Sequence, residues 1–262
     1  MSRVRLDSLL TERGLFASRT RAAASVMAGE VRIGDDGLRA SKPGQMVAAD
    51  VVLHVDEKPR FVSRGGEKLT NALEATGLDP AGRQALDVGA STGGFTDVLL
   101  QRGAEHVIAL DVAYGELDWK LRTDERVTVI ERTNARAITA DDLPYRPDLV
   151  VADVSFISLT KVLPAVLQTT APRFDALAMV KPQFELGRKR VGKGVVHDPD
   201  DRREALLGVA ASAQELGASV LGFASSGLPG PKGNKESFVW LAESGREGAV
   251  DDLEAAARVV EP

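Results

Sequence analysis

Apolar side chains recur at helical spacing in the first thirty residues. Leu6, Leu9 and Leu10 form one stripe that ends at Gly14, and Ala22, Val26 and Met27 form a second that opens at Ser18 and stops at Gly29. Val31-Arg32-Ile33 then alternates like a strand and runs into a Gly34-Asp35-Asp36-Gly37 turn, and Val47 and residues 51–55 supply further strand. This predicts two short helices and a small sheet, a compact α+β module. The charged, proline-containing stretch Asp56-Glu57-Lys58-Pro59-Arg60 reads as a joint, and beyond it the pattern changes. Short apolar runs at 84–89, 106–111, 127–131, 148–153, 176–181, 219–225 and 236–241 alternate with helical patterns at about 66–77, 94–103, 158–168 and 200–217. Such alternation implies a parallel sheet with helices on both faces, a Rossmann-like α/β fold. The expected division is a first domain over 1–58, a linker over 59–64 and a second domain over 65–262, with a polar turn and a short helix after residue 244.

Composition narrows the class. Hydrophobic residues make up 44% and charged residues 27%, ordinary for a globular protein. No apolar run approaches the ~18–20 residues that span a bilayer, and MSRVRLDSLL lacks the apolar core of a signal peptide. The expectation is a cytoplasmic protein without a membrane partner. The absence of cysteine removes disulfides, thiolate metal sites and a cysteine nucleophile. With it go the methylases that attack a cytosine carbon through a thiol. His54, His106 and His197 are too scattered to suggest a zinc site, so no metal is expected. The net charge of −5 is unevenly spread: residues 1–45 carry eight Lys or Arg against five Asp or Glu. A basic front and an acidic back fit a recognition module joined to a catalytic one.

The most informative stretch is LDVGASTGGF, from Leu86 to Phe95. An apolar run ends in an acid, and a turn of small residues opens a helix, so Asp87, Gly89, Ala90, Ser91, Thr92, Gly93 and Gly94 are candidates to hold a small ligand against backbone. Gly89 and the Gly93-Gly94 pair let a ligand approach the main chain, although glycine loops also serve as plain turns. The spacing is not G-x-G-x-x-G, which disfavours a dinucleotide. The next apolar run closes on Asp111, where an acid accepts hydrogen bonds from ribose hydroxyls or simply caps a strand end in water. Loop and acid together suit a ligand with a ribose at one end and a small charged group at the other. S-adenosylmethionine fits that description.

Four more charges stand at strand ends or beside glycine-rich entries: Lys68 after SRGGE, Asp153 after LVVA, Lys181 after AMV, and Glu236 after KGNK. Any one could be a strand-end charge in water. Together they hint at a shared polar site, because lysines and carboxylates are rarely buried unpaired.

The order Lys68, Asp153, Lys181, Glu236 resembles the catalytic tetrad of the FtsJ-type ribose methyltransferases. The opening R-L-D-x-L-L-x-x-R-G-L-F-x-S-R-x-x-A, followed by G-x-V-R-I-G and K-P-G-x-x-V, resembles the small RNA-binding domain named for ribosomal protein S-four. SRGGEKL, DVGASTGGFTDVLL, ADVSFISL, VKPQFE, GKGVVHDP and KGNKESFVWL extend the match over nearly the whole chain and resemble the TlyA family. The resemblance implies methylation of a cytidine ribose 2′-hydroxyl in small- and large-subunit ribosomal RNA, with S-adenosylmethionine as cofactor and ribosomal RNA or ribosomal subunits as partner. It gives Lys181 the central role, Asp153 its orientation, and Lys68 and Glu236 the placing of the target ribose. It also implies an RNA-facing surface with Arg3, Arg5, Arg19, Arg21 and Lys42. Arg188, Lys189, Arg190 and Lys193 would supply a second basic contact near the active site.

The tetrad residue types suit the chemistry. A ribose hydroxyl is a poor nucleophile, so the enzyme must align oxygen, methyl carbon and sulfur and then offset or accept what the proton leaves behind. Asp153-Val154-Ser155-Phe156 lacks the prolines of the D/N-P-P-Y/F box, which disfavours base-amine methylation. Two further alternatives stand: a membrane-active protein, suggested by the hemolysin name some members carry, and an RNA-binding protein with a degenerate methyltransferase fold. The first lacks a spanning segment or a strongly basic amphipathic helix, and the intact loop and tetrad argue against the second.

Overall fold

The computed structural model describes residues 3–56, 59–192, 194–230 and 232–261. The chain divides into one unit of Met1–Pro59 and a second of Arg60–Pro262. The first unit runs β1 (Arg3–Arg5), α1 (Leu6–Glu12), α2 (Arg19–Met27), β2 (Val31–Ile33), β3 (Leu38–Arg39), β4 (Met46–Ala48) and β5 (Leu53–Val55). Strand β1 pairs antiparallel with β4, and β3, β2 and β5 form a three-stranded antiparallel sheet. Ser18 caps α2 by accepting from the Arg21 amide, as its position before the second apolar stripe predicts. Leu6, Leu9, Leu10, Ala22 and Val26 of the two stripes face one small core closed by Val31 and Val47, whereas Met27, at the end of α2, is exposed. At three residues, β1 is too short to show a period, so sequence reading passes over it.

In the second unit the elements are α3 (Gly65–Thr76), β6 (Gln84–Val88), α4 (Gly94–Gln101), β7 (His106–Leu110), α5 (Trp119–Arg122), β8 (Val127–Ile130), β9 (Leu149–Ala152), α6 (Leu163–Gln168), β10 (Asp175–Val180), α7 (Pro182–Glu185), α8 (Arg188–Val191), α9 (Pro199–Glu215), β11 (Ser219–Ser225), β12 (Ser237–Ala242) and α10 (Leu253–Val260). They build a seven-stranded sheet in the order β11-β12-β10-β9-β6-β7-β8. The five strands from β10 to β8 are parallel, and their near-continuous apolar runs reflect burial on both faces. Leu86, Val88, Ile108 and Leu110 face one core with side chains of α6, α9 and α10. Ala85, Val107, Leu149 and Leu177 face the other core, with α3, α4 and α5. Losing one of these leucines to alanine costs about 2–5 kcal/mol.

Three expectations need correction. Strand β12 is antiparallel to both β10 and β11. Only residues 226–236 separate β11 from β12, fewer than the dozen or so a parallel crossover needs, so the chain returns as a hairpin. The helix expected over 158–168 splits into a 3₁₀ turn at Leu159–Lys161 and α6, with Pro164 in its first turn. Proline lacks the N–H that would bond the preceding turn. Finally, the chain from Phe61 onward, expected in the linker, packs with the second unit: Phe61 is buried, and the Val62 amide donates to Asp97 Oδ2 at 2.9 Å on α4.

Candidate active site

Strand register brings the four charged residues together. Strands β9 and β10 run in parallel, so Asp153 and Lys181 leave the sheet side by side at its carboxyl edge. Because β12 is antiparallel, its first residue, Ser237, pairs with Val180 at the end of β10, which places Glu236 at that same edge. Lys68 projects from the first turns of α3. Lys181 Nζ lies 2.5 Å from Asp153 Oδ1, off line for a hydrogen bond, and donates to Ser155 Oγ at 2.8 Å. Lys68 Nζ pairs with Glu236 Oε2, both side chains being buried. All four line one cavity of about 600 Å³, within the range of small-molecule sites. Charges this buried persist only when matched, and two opposed pairs satisfy that demand.

The glycine loop forms a wall of the same cavity through Gly89, Ala90, Ser91, Thr92 and Gly94. Its glycines are required by protein neighbours. At Gly89, φ is +86° and a Cβ would lie 2.6 Å from the carbonyl oxygen of Asp153. Gly93, expected to leave room for a ligand, instead turns its open side to Leu117 and Leu121, and a Cβ on Gly94 would collide with Ser63 Oγ. Asp87 does not line the cavity either. Fully buried, it accepts from the Thr96 amide at 3.0 Å and from Thr96 Oγ1 at 2.7 Å, holding the start of α4. Desolvation pushes its carboxyl up to about 7, against the pull of the Thr96 bonds.

Asp111 accepts from the Ser91 amide at 2.8 Å and the Ala113 amide at 2.8 Å. It lines a separate recess of about 10 Å³ that shares Ala90 and Ser91 with the main cavity. A carboxylate offers about four lone-pair sites, so two remain for ribose hydroxyls. Gly93 at the start of α4 brings no capping side chain and Asp87 takes the Thr96 amide, which leaves the Gly94 and Phe95 amides as donors for a ligand carboxylate. These features fit S-adenosylmethionine: Asp111 would hold its ribose, and the amides that open α4 its carboxylate.

Sequence reading missed several cavity residues. Ser155 receives the Lys181 bond. Phe156 is 91% exposed, sits at φ +64° and meets the Phe184 ring at 5.3 Å between centroids. Gln183 lines the wall, and buried Asn234 ties two wall loops by accepting from the Val196 amide at 2.9 Å and donating to the Gly194 carbonyl at 2.8 Å. Each lies in a segment singled out for its charged neighbour, and a lone polar or aromatic residue carries no periodic signal.

The expected RNA contacts fare unevenly. Arg3, Arg21 and Lys42 are exposed. Arg5 and Arg19 both reach Asp7, at 2.7 and 3.4 Å. The bond from Arg5 leads in lowering the Asp7 carboxyl to about 2. Arg190, expected to be free for RNA, is paired with Asp201 and Glu204, which offset its charge. Lys193 and the side chains of Arg188 and Lys189 lie outside the described residues.

The FtsJ-like methyltransferase family matches residues 61–243. A 16S/23S rRNA (cytidine-2′-O)-methyltransferase TlyA from Mycobacterium tuberculosis is 54% identical over 91% of this chain and 90% of its own length. Hemolysin A from Brachyspira hyodysenteriae is 37% identical over 89% of this chain and 97% of its own. A solved structure from Streptococcus thermophilus that carries a hemolysin name is 38% identical, covers 99% of this chain and 96% of its own, and superposes with a TM-score of 0.73. The chain belongs to the FtsJ-like methyltransferases and, among them, to the TlyA family.

Proposed function

We propose that this protein transfers a methyl group from S-adenosylmethionine to a ribose 2′-hydroxyl of ribosomal RNA, with cytidine as the target nucleoside. The observation that carries the reading is the convergence of the Lys181–Asp153 and Lys68–Glu236 pairs in one cavity walled by the glycine loop. The name of the M. tuberculosis relative supports cytidine and ribosomal RNA as the substrate.

The cofactor supplies a methyl group already activated by its sulfonium. The chain must orient the hydroxyl in line with it and offset the negative charge that grows on oxygen as the hydroxyl proton passes to water. Lys181 carries that offsetting charge, and Asp153 and Ser155 fix where its ammonium sits. Glu236 has one buried oxygen, Oε1, without a hydrogen-bond partner among the described residues, and the Lys68–Glu236 pair holds the ribose from beside β12 at the same edge. The Phe156–Phe184 pair offers a stacking surface for the base. We assign RNA recognition to the first unit as an S-four-type domain. Its exposed Arg3, Arg21 and Lys42 contact phosphates, and Arg5 and Arg19 do so while tethered to Asp7.

The test incubates ribosomal RNA with labelled donor and wild-type or Lys181→Ala protein, then identifies nucleosides by mass spectrometry. Expected is 2′-O-methylcytidine with wild type, at least ~10²-fold less with the variant, and donor affinity retained, because Lys181 acts on the reacting hydroxyl. Methylation of a base, or near-normal turnover of Lys181→Ala, overturns the reading.

A further inference from the structure

We propose that Glu185 is a positioning residue for methyl transfer, a carboxylate clasp that holds the loop carrying Asp153 and Phe156 against the turn carrying Lys181 and Phe184. The proposal rests on the function proposed above and concerns a residue that lies off the cavity wall.

The two segments leave neighbouring parallel strands, and the ladder that joins them ends at the Ala152–Ala178 pair. Beyond that point no strand pairing joins them directly: β10 is held by β12 as far as Val180, and the Asp153 amide bonds the Val88 carbonyl. The turn after β10 is α7, a single helical turn of four residues, too short to be stable by itself. The loop after β9 carries Phe156 in the left-handed region, a conformation a bulky residue keeps only where its surroundings impose it.

Among the described residues, four polar or aromatic links cross the gap. Three of them, Lys181 to Asp153, Lys181 to Ser155, and Phe156 to Phe184, belong to side chains on the cavity wall that must also answer to substrate. The fourth is Glu185. Its Oε2 accepts from Ser158 Oγ at 2.5 Å and its Oε1 from the Leu159 amide at 2.9 Å. Ser158 also accepts from the Thr160 amide at 3.1 Å and shares a hydrogen bond with Thr160 Oγ1 at 2.7 Å, so the clasp grips the start of the 3₁₀ turn. Burial pushes the Glu185 carboxyl above its ordinary value, and the bonds from Ser158 and Leu159 oppose that push. A carboxylate placed in such surroundings, away from substrate, matches its two donors, and those donors lie two and three residues beyond Phe156. The clasp therefore stays closed while the cavity side chains exchange partners during the reaction.

The experiment compares Glu185→Ala, Glu185→Gln, Ser158→Ala and the Glu185→Ala/Ser158→Ala pair in the full chain. It measures kcat on ribosomal RNA, donor Kd, and amide hydrogen exchange over residues 153–161. Misplacing a reacting group by about 1 Å costs up to ~10²-fold, so Glu185→Ala should lower kcat by about ten- to a hundredfold, with donor Kd changed less than about threefold. Glutamine can accept from Leu159 and donate to Ser158 Oγ, so Glu185→Gln should keep kcat within about threefold. The double variant should lose less than the product of the two single losses, because both singles remove the Ser158–Glu185 bond. Exchange over 153–161 should quicken in Glu185→Ala and not in Glu185→Gln. The clasp is overturned if Glu185→Ala keeps its kcat, if donor binding falls in step with turnover, or if exchange is unchanged. A wild-type protein that leaves ribose unmethylated refutes the proposed reaction instead, and the exchange measurement then still decides whether the clasp exists.

Discussion

At Gly89 two requirements meet on one residue. Its φ of +86° strains any side chain, and the space a Cβ would need is taken by the carbonyl of Asp153. Gly89→Ala must therefore bear about 1–3 kcal/mol of strain and displace the strand end that aims Asp153 at Lys181. We expect both donor affinity and turnover to fall in this variant, read by calorimetry and by methylation of RNA; normal values for both would contradict the geometry. The sequence showed that small residues mattered in this loop and left open what they make room for. A missing side chain is visible in a sequence, whereas the atom that fills its place comes from another strand: Asp153 at Gly89, Leu117 and Leu121 at Gly93, and Ser63 at Gly94. Asp87 was likewise grouped with the ligand contacts because it precedes the loop, and only burial reveals that it faces Thr96. The convergence of the four charges was legible because Asp153 and Lys181 close apolar runs and Lys68 and Glu236 stand beside glycine-rich entries, local conflicts that a shared site resolves.

Among elements, the joint between β6 and α4 has a pH dependence of its own. Asp87 holds α4 through Thr96 while desolvation lifts its carboxyl to about 7, well above the value of about 3.9 in an unfolded chain. The native state thus binds this proton more tightly than the unfolded state. The resulting contribution to stability is full below about pH 4 and is lost as pH rises through about 7. Asp87→Asn can keep both Thr96 bonds and has no proton to release. From about pH 5 to about pH 8 the wild-type second unit should lose on the order of 2 kcal/mol relative to Asp87→Asn, seen as diverging urea midpoints. Parallel midpoints would remove the assignment. Element identities and approximate ends were legible in the parallel strands because burial on both faces makes them apolar runs bounded by turns. Direction was not, since an apolar run reads the same both ways; the short 226–236 connection is the one clue that β12 reverses. That reversal also carries Glu236 to the edge where β10 ends in Lys181.

For the whole molecule, donor binding and RNA recognition should separate along the chain. Among the described residues, those that line the cavity belong to the second unit, and its amino-terminal segment is anchored there by buried Phe61 and by the Val62 bond to Asp97. A chain that begins at Arg60 should then bind S-adenosylmethionine with Kd within about threefold of full length, yet methylate ribosomal RNA at least ~10-fold more slowly. Phosphate contacts release counterions, so methylation by the full chain at limiting RNA should fall with salt more steeply than that of the shortened one. Arg21→Ala and Lys42→Ala are the informative single variants, each expected to make the slope shallower by about one contact, about 0.7–0.9 on logarithmic axes. Arg5→Ala and Arg19→Ala mix two effects, because they also strip partners from Asp7, whose carboxyl, lowered to about 2, stays ionised at neutral pH. The basic character of this unit was legible in its composition, but the tether that restrains two of its arginines was not, since Asp7 reads in sequence as one more helix-start acid. Both chains are compared in one buffer for donor binding and for RNA methylation. Equal methylation rates would show that the first unit is not the recognition element, and a lost donor affinity in the shortened chain would show that the cavity depends on residues before Arg60.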